Sequence, residues 1–451
     1  DGETLAQPAR RCQPATIAGG RKADTLGALG RAGGESNTVP FALLRYGLTG
    51  RQSPSRRLVG PEPLRDRYDV VIIGGGGHGL ACAYYLAKDH GITDVAVLEK
   101  GYLGGGNTAR NTAIVRSNYL TPEGVRFYDE SVRLFEGLAQ ELDINLMYSR
   151  RGHFTLAHTD AAIRTSRWRA EGNTHLGVRS ELVPRDDLAR MVPTLDMSDD
   201  VRYPILGALY HPPGAIARHD AVAWGYGGQA SRRGVQIHTN TEVTGLEVAK
   251  GRITGVETAA GRIKCGTVLQ AVAGHSSLLA AMAGFRLPVR SVPLQACVSQ
   301  PLKPFLDPII VSGSLHVYIS QSARGELVMG GATDPYPLYS TRSSLEFKEQ
   351  LMGHVLELFP QLAPVKLLRQ WAGIADMTPD FAPVMGETPV AGYYIDAGWG
   401  TWGFKATPAS GKRMAETLAT GKVPALIHPF RLSRFADFDL IGEKGAASVG
   451  H

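Results

Sequence analysis

The chain has 451 residues, 43% of them hydrophobic in type and 20% charged, and a formal net charge of +6. That length suffices for two domains with substantial cores, and no apolar run approaches the roughly 18 residues of a membrane-spanning helix, so no membrane association is expected. Residues 1–67 carry 11 Lys/Arg against 6 Asp/Glu, which leaves the remainder at +1; the basic balance belongs to that stretch and gives no argument for nucleic acid.

In chain order, residues 1–40 are rich in Gly, Ala, Arg and Thr without any period. They lack an initiator Met and the apolar heart of a signal peptide, and read as a disordered or foreign extension. An N-terminal arm, 41–67, begins with "FALLRYGLTG". The four cysteines, Cys12, Cys82, Cys265 and Cys297, form no CxxC pair. A reduced, cytoplasmic setting without a structural metal follows as the expectation.

The stretch "YDVVIIGGGGHGLACAYYLAKDHGITDVAVLEK", from Tyr68 to Lys100, predicts strand, glycine turn, helix and second strand. Gly74, Gly76 and Gly79 fit G-x-G-x-x-G. Gly74 permits the tight exit from the strand, Gly76 lets a diphosphate approach bare backbone, and Gly79 lets helix pack on strand. The amides near Gly77 and His78 start the helix, where free N–H groups and the dipole attract anions. Glu99 ends the second strand, placed to accept hydrogen bonds from a ribose. His78 by itself reads as a helix-start residue.

Next comes a polar glycine loop, "GYLGGGNTARNTAIVRSNYL". Residues 122–200 read as mainly helical, with a strand at "RGHFTLAH". Residues 234–273 alternate around two Gly turns and predict a β-meander closing on an apolar strand. Residues 286–335 are strand-rich, and "SSLEFKEQLMGHVLELFP" is an amphipathic helix. A second glycine loop, "GWGTWGF", feeds a final helix. The fold class is therefore α/β with an α+β second domain, a Rossmann-like dinucleotide domain interleaved with a β-sheet domain. The first is assigned to 68–150, 215–285 and 370–435, the second to 151–214 and 286–369, and 436–451 to a C-terminal tail.

Several strings go beyond the glycine motif: "GITDVAVLEKGYLGGGNTARNTAIVRSNYL", "GAIARHDAVAWGY", "AGHSSLLAAMAGFRLP", "HVYISQSARGELVMGGA" and "GWGTWGFKATPASG". In these the chain resembles the D-amino-acid-oxidase-type FAD-dependent oxidoreductases and, among them, the beta-subunit family of heterotetrameric sarcosine oxidases. The resemblance covers roughly 41–451. It implies a glutathione-reductase/D-amino-acid-oxidase type FAD domain and non-covalent FAD. It also implies covalent FMN at an interface with an alpha subunit, further gamma and delta subunits, sarcosine and O2 as substrates, and tetrahydrofolate as acceptor of the one-carbon product.

Residue by residue, the resemblance casts Arg116 and Lys405 as the pair that binds substrate carboxylate, Arg with a bidentate fork and Lys as a point charge. By residue type alone either could be a solvated surface cation. Asn107, Thr108, Asn111 and Thr112 are read as partners of the flavin and its phosphates, and Arg110 as a neutraliser of the diphosphate. Ile114 is expected beside the flavin ring and Val243 beside the adenine. Gly400 and Gly403 would admit backbone to the flavin's O2 edge. Tyr318 would face the substrate cavity, or equally be a core aromatic. His219 matches the FMN-linked histidine and Arg218 the basic residue before it; on its own, His219 would be a helix cap or surface residue. Two alternatives stay open: a single-flavin dehydrogenase or oxidase of the glycine or proline type, and a flavin-binding scaffold without chemistry. The presence of Arg116 and Lys405 speaks against the second.

Overall fold

A computed structural model describes residues 48, 59–60 and 62–443, so the readings of 1–40, most of 41–67 and 444–451 lie outside the described residues. The chain divides into two units, 1–56 and 57–451, and everything below concerns the second.

The sequence Val70–Ile73 is β-branched throughout, Val95–Leu98 is apolar throughout, and both are buried on both faces, the pattern of central parallel strands. They sit at the centre of a six-stranded sheet ordered Val384–Glu387, Tyr393–Ala397, Thr267–Gln270, Val70–Ile73, Val95–Leu98, Gln236–His238. All neighbouring pairs are parallel except the first. Gln236–His238 thus leaves the expected meander and extends the parallel sheet. The meander proper is the three-stranded antiparallel sheet of Val243–Ala249, Arg252–Thr258 and Gly261–Lys264. Ile237 and His238 are buried, whereas only Val243 of Val243–Ala249 is, so the two strands answer to different environments.

Two helices cross against this sheet at backbone contact. A Cβ on Gly411 of Gly403–Thr420 would lie 2.3 Å from Ala81 Cβ of Gly77–His90. Small residues at the crossing let the axes approach, and the approach brings both helix N-termini to one side of the sheet.

The second layer is an eight-stranded sheet ordered Leu367–Met377, Arg290–Pro301, Glu326–Thr333, Val317–Gln321, Ile309–Ser312, His153–Ala157, Gly207–His211, Glu181–Pro184. The boundary expected at 370 falls inside its edge strand Leu367–Met377, which pairs along its length with Arg290–Pro301. Phe347, Leu351 and Val355 of the amphipathic helix Leu345–Leu358 pack against it. A small sheet of Ile114–Val115, Ala215–Ile216 and Ser149–Arg150 lies beside it in the chain path. After the last helix the chain returns to the body. Arg434, fully buried, grips Asp380 with Nε at 2.8 Å and Nη2 at 2.9 Å.

Candidate active site

The glycine turn is built by exclusion. Gly74 has φ +112°, and a Cβ there would stand 2.3 Å from the Ala271 carbonyl oxygen. A Cβ on Gly79 would stand 2.1 Å from the Gly74 carbonyl oxygen. Gly76 is different: its added Cβ would meet only Thr108 Oγ1, at 3.4 Å, so the space above it is open. The Gly77 amide donates to Thr108 Oγ1 at 3.0 Å. The helix has no side-chain cap and no acid in its first turn, which leaves its N-terminus suited to an anion. The Glu99 carboxylate is fixed by the Gly75 and Gly101 amides, both at 2.8 Å.

From this cradle a cavity of about 550 Å³ runs between the two sheets. Its walls include Gly74, Gly76, Gly77, His78, Glu99 and Val243 near the cradle, and Ile114, Arg116, Tyr318 and Lys405 elsewhere. The glycine loop between 104 and 112 forms another wall and is fastened to the second sheet. Asn107 donates from Nδ2 to the Ile374 carbonyl at 2.6 Å and accepts from the Ile374 amide at 2.9 Å. Trp371 donates to the Arg110 carbonyl at 2.7 Å. The Arg110 guanidinium turns back onto the carbonyls of Gly105 and Gly106. Asn111 Oδ1 accepts from the Ala113 amide at 2.6 Å, and Ala113 sits at φ +59°. Thr112 and Asn107 still line the cavity, with Thr108 and Arg110. Tyr318 is half-buried beside Thr112; desolvation pushes its phenol well above the ordinary range.

The C-terminal wall is made by the second glycine loop. Gly400, at φ +52°, donates to the Asp376 carbonyl at 3.1 Å, and Gly398 donates to Asp376 Oδ2 at 2.7 Å. Burial raises the Asp376 carboxyl to about 6. Gly403 starts the last helix, and its carbonyl accepts from His78 Nε2 at 2.7 Å. His78 Nδ1 reaches both Asp396 oxygens at 3.2 Å. Burial alone would lower His78, but Asp396 and the Gly403 carbonyl raise it above its ordinary value. Asp396 also receives Trp399 Nε1 and Ser410 Oγ, each at 2.5 Å. His78 therefore does more than start a helix: it ties both helix N-termini together in the cavity wall.

Arg116 and Lys405 are each 7% exposed and line the same cavity from separate elements. Arg116 donates from Nη1 to Asn118 Oδ1 at 2.9 Å and to the Asn118 carbonyl at 3.2 Å, and its guanidinium lies 4.6 Å from the Tyr119 ring centre. Lys405 Nζ has no carboxylate partner among the described residues. Burial first, and the Arg116 charge second, hold its ammonium well below the usual lysine range. Behind them Arg169 donates from Nε to the Asn118 carbonyl at 2.8 Å. Glu443 accepts from the Leu120 amide at 3.2 Å and the Thr121 amide at 2.9 Å. Sequence reasoning missed Arg169, Glu443 and Asp396, and also His153, which lines the cavity. The string "RGHFTLAH" marks a strand but not what its histidines face.

His219 and Arg218 lie outside the cavity lining. His219 is the first residue of helix His219–Arg232, and its Nδ1 accepts from the Asp220 amide at 3.0 Å. Burial, then Arg218, lower its pKa against the opposing pull of Asp220. Arg218 is exposed, pairs with Asp220 at 2.7 Å and lies 5.5 Å over the Trp224 ring. The Ala217 amide donates to the Ala113 carbonyl at 3.1 Å, and Ala215–Ile216 pairs with Ile114–Val115. His219 is thus three residues beyond Ile216, the end of a strand paired with the cavity-lining Ile114.

An open glycine cradle at an uncapped helix N-terminus, a fixed carboxylate at the next strand end and a long cavity between two sheets fit a flavin dinucleotide. The model of the FAD dependent oxidoreductase (DAO) family matches residues 69–417, and the chain belongs to that family. FAD is the cofactor that the family's description carries.

Within it the chain groups with sarcosine oxidase beta subunits. That of Arthrobacter sp is 48% identical over 391 residues, 87% of this chain and 96% of the relative. That of Rhodobacter capsulatus is 46% identical over 411 residues, 91% and 99% of the two chains. Among solved structures, the L-proline dehydrogenase of P. horikoshii superposes with a TM-score of 0.79 at 28% identity, over 84% of this chain and 100% of that one. No helix among the described residues is long and apolar enough to cross a membrane.

Proposed function

We propose that the chain is the FAD-bearing beta subunit of a sarcosine oxidase and oxidises the N-methyl C–N bond of sarcosine. The observation that supports this reading is the buried pair Arg116 and Lys405 on one cavity, two basic side chains that a substrate carboxylate would engage together. FAD, when bound, supplies the hydride-accepting chemistry. Gly76 and the first turn of Gly77–His90 would hold its diphosphate, and Glu99 its ribose.

The protein's own contribution is binding and orientation. Arg116, preset by Asn118, and Lys405 fix the carboxylate and with it the N-methyl group. The positive field of the two cations favours the neutral form of the substrate amine, so no separate base is required. Tyr318 and Ile114 close the apolar side. His219 would hold FMN covalently, with Arg218 at its phosphate or ring; that group's chemistry is to hand electrons to O2. A neutral imidazole is the nucleophilic form such a bond needs, and burial shifts His219 toward it. Alpha, gamma and delta subunits complete the assembly. The products are glycine, hydrogen peroxide and formaldehyde, or 5,10-methylenetetrahydrofolate when tetrahydrofolate captures the one-carbon unit.

The test is peptide mass mapping of protein co-expressed with its alpha partner, together with rates for sarcosine and its neutral methyl ester. FMN mass on the His219 peptide and a strong preference for the free acid are expected. Flavin-free peptides would leave the single-flavin reading, to which the proline dehydrogenase likeness lends itself. Equal rates for acid and ester would remove the role of the cationic pair.

A further inference from the structure

We propose that His153 donates a hydrogen bond from Nε2 to the substrate carboxylate, as the uncharged third member of the Arg116–Lys405 site. This rests on the reading of the cavity as an amino-acid site.

His153 is the first residue of strand His153–Ala157 and is 2% exposed. It lines the cavity that Arg116, Lys405 and Tyr318 also line. Its Nδ1 is sealed and has no partner, and its Nε2 makes no hydrogen bond to any described residue. A neutral imidazole carries one N–H. Placing that proton on Nδ1 would bury an unpaired donor, a costly arrangement. The proton therefore belongs on Nε2, and Nε2 is the nitrogen left to serve a ligand.

The neighbouring histidine cannot serve in its place. His211 lies opposite His153 in the antiparallel pair with Gly207–His211. His211 Nδ1 donates to the Arg179 carbonyl at 2.8 Å, and its Nε2 accepts from the Ser117 amide at 3.2 Å. Both its nitrogens are used.

The charges around His153 keep its ring neutral. Burial comes first; Arg116, His211, Arg169 and Lys405 add to it, and together they hold the imidazole well below its ordinary pKa. A third full cation would overcharge a site meant for one carboxylate. A neutral N–H adds direction without charge, so His153 sets where the acid group sits between the two cations.

The experiment uses FAD-loaded protein and acetate as an unreactive monocarboxylate. Its dissociation constant is read from the perturbation of the visible flavin spectrum. His153→Leu should weaken acetate about tenfold or more with FAD content unchanged, the effect of losing a hydrogen bond to a charged group. His153→Gln, whose amide keeps a donor at similar reach, should retain most of the affinity, whereas a purely packing role would not be rescued by it. Lys405→Met separates the two layers of the argument. If it loses acetate while His153→Leu binds like wild type, the role of His153 falls and the cationic site stands. If Lys405→Met binds acetate like wild type, the amino-acid reading falls and His153 with it. Should His153→Leu fail to take up FAD, ¹⁵N-imidazole spectra of the wild type decide. Acetate must move an Nε2–H resonance that is missing from His153→Gln, and an unmoved resonance overturns the proposal.

Discussion

The two ends of the cavity are built in opposite ways. The cradle end is nearly continuous in sequence: Gly74 to Glu99 supplies turn, helix start and acid within one βαβ unit. The proposed acid-binding end is gathered from His153 and Tyr318 on the eight-stranded sheet, Arg116 just after the short strand Ile114–Val115, and Lys405 on the last helix. The first end works through backbone that side chains must not obstruct. The second, on the proposal above, works through side chains that would meet a ligand carboxylate. Stability and function should therefore respond differently to substitution at the two ends.

The largest effect belongs to the cradle. Gly79→Val sets a side chain against the Gly74 carbonyl, where even a Cβ would be at 2.1 Å, and backbone cannot yield. Loss of the folded, FAD-binding protein is expected. Gly76→Val places its bulk in open space, with only Thr108 Oγ1 near at 3.4 Å. That variant should fold, keep its melting temperature in the FAD-free state and take up no FAD. A Gly79→Val protein that melts like wild type, or a Gly76→Val protein with full flavin, would break the distinction.

Lys405→Met comes next and should move activity and stability in opposite directions. Loss of one cation facing a buried carboxylate removes about 2–5 kcal/mol of transition-state binding for the acid substrate. In the ligand-free protein the same change deletes an uncompensated buried charge and substitutes an apolar chain of similar length, so the melting temperature should rise. Calorimetry and kcat/KM on one preparation check both signs; a fall in both would mean that Lys405 is structural.

The same contrast explains what could be read from the chain. The strand–turn–helix–strand at 70–98 is encoded locally by apolar runs and glycine placement, and it stands as read. So do the amphipathic helix 345–358 and the glycine loop feeding 403–420. Gln236–His238 went to a different sheet because a three-residue strand carries no signal of which edge it will join. Arg116 and Lys405 were reached only through resemblance; their strings do not show that they are buried or share a cavity. His153, Arg169 and Glu443 gave no signal at all, because their roles depend on pairings between elements far apart in the chain. Asn107 and Arg110 show the converse: their types suggest a ligand, yet their side chains are also engaged in holding the loop.

Glu443 tests how far the proposed acid-binding end extends. Its carboxylate holds the Leu120 and Thr121 amides at the start of helix Pro122–Glu141, close behind Arg116. Glu443→Ala should cost about 1–3 kcal/mol of stability, the range for leaving buried donors unpaired. It should also raise KM for the acid substrate more than it lowers kcat, since the 116–121 segment is loosened rather than removed. Glu443→Gln keeps two acceptor lone pairs and should recover part of both. An unchanged KM in Glu443→Ala would confine its role to capping.

The smallest effect is a pH dependence, and it ties the two properties of Lys405 together. Its folded-state pKa lies well below the ordinary value because burial and Arg116 disfavour the ammonium. Between that depressed value and the usual lysine pKa of about 10.4, the unfolded chain binds one more proton than the folded one. Stability of the substrate-free protein should therefore rise with pH through this window. Acetate affinity should fall through the same window, because a neutral amine no longer attracts the carboxylate. Saturating acetate restores a negative partner, raises the Lys405 pKa and should move the stability rise to higher pH. His153, whose pKa burial and the surrounding cations hold well below its ordinary value, contributes no slope there. Thermal midpoints and acetate titrations from neutral pH up to the usual lysine pKa measure both trends. Lys405→Met should flatten both, and slopes that persist in that variant would assign the titration to another group.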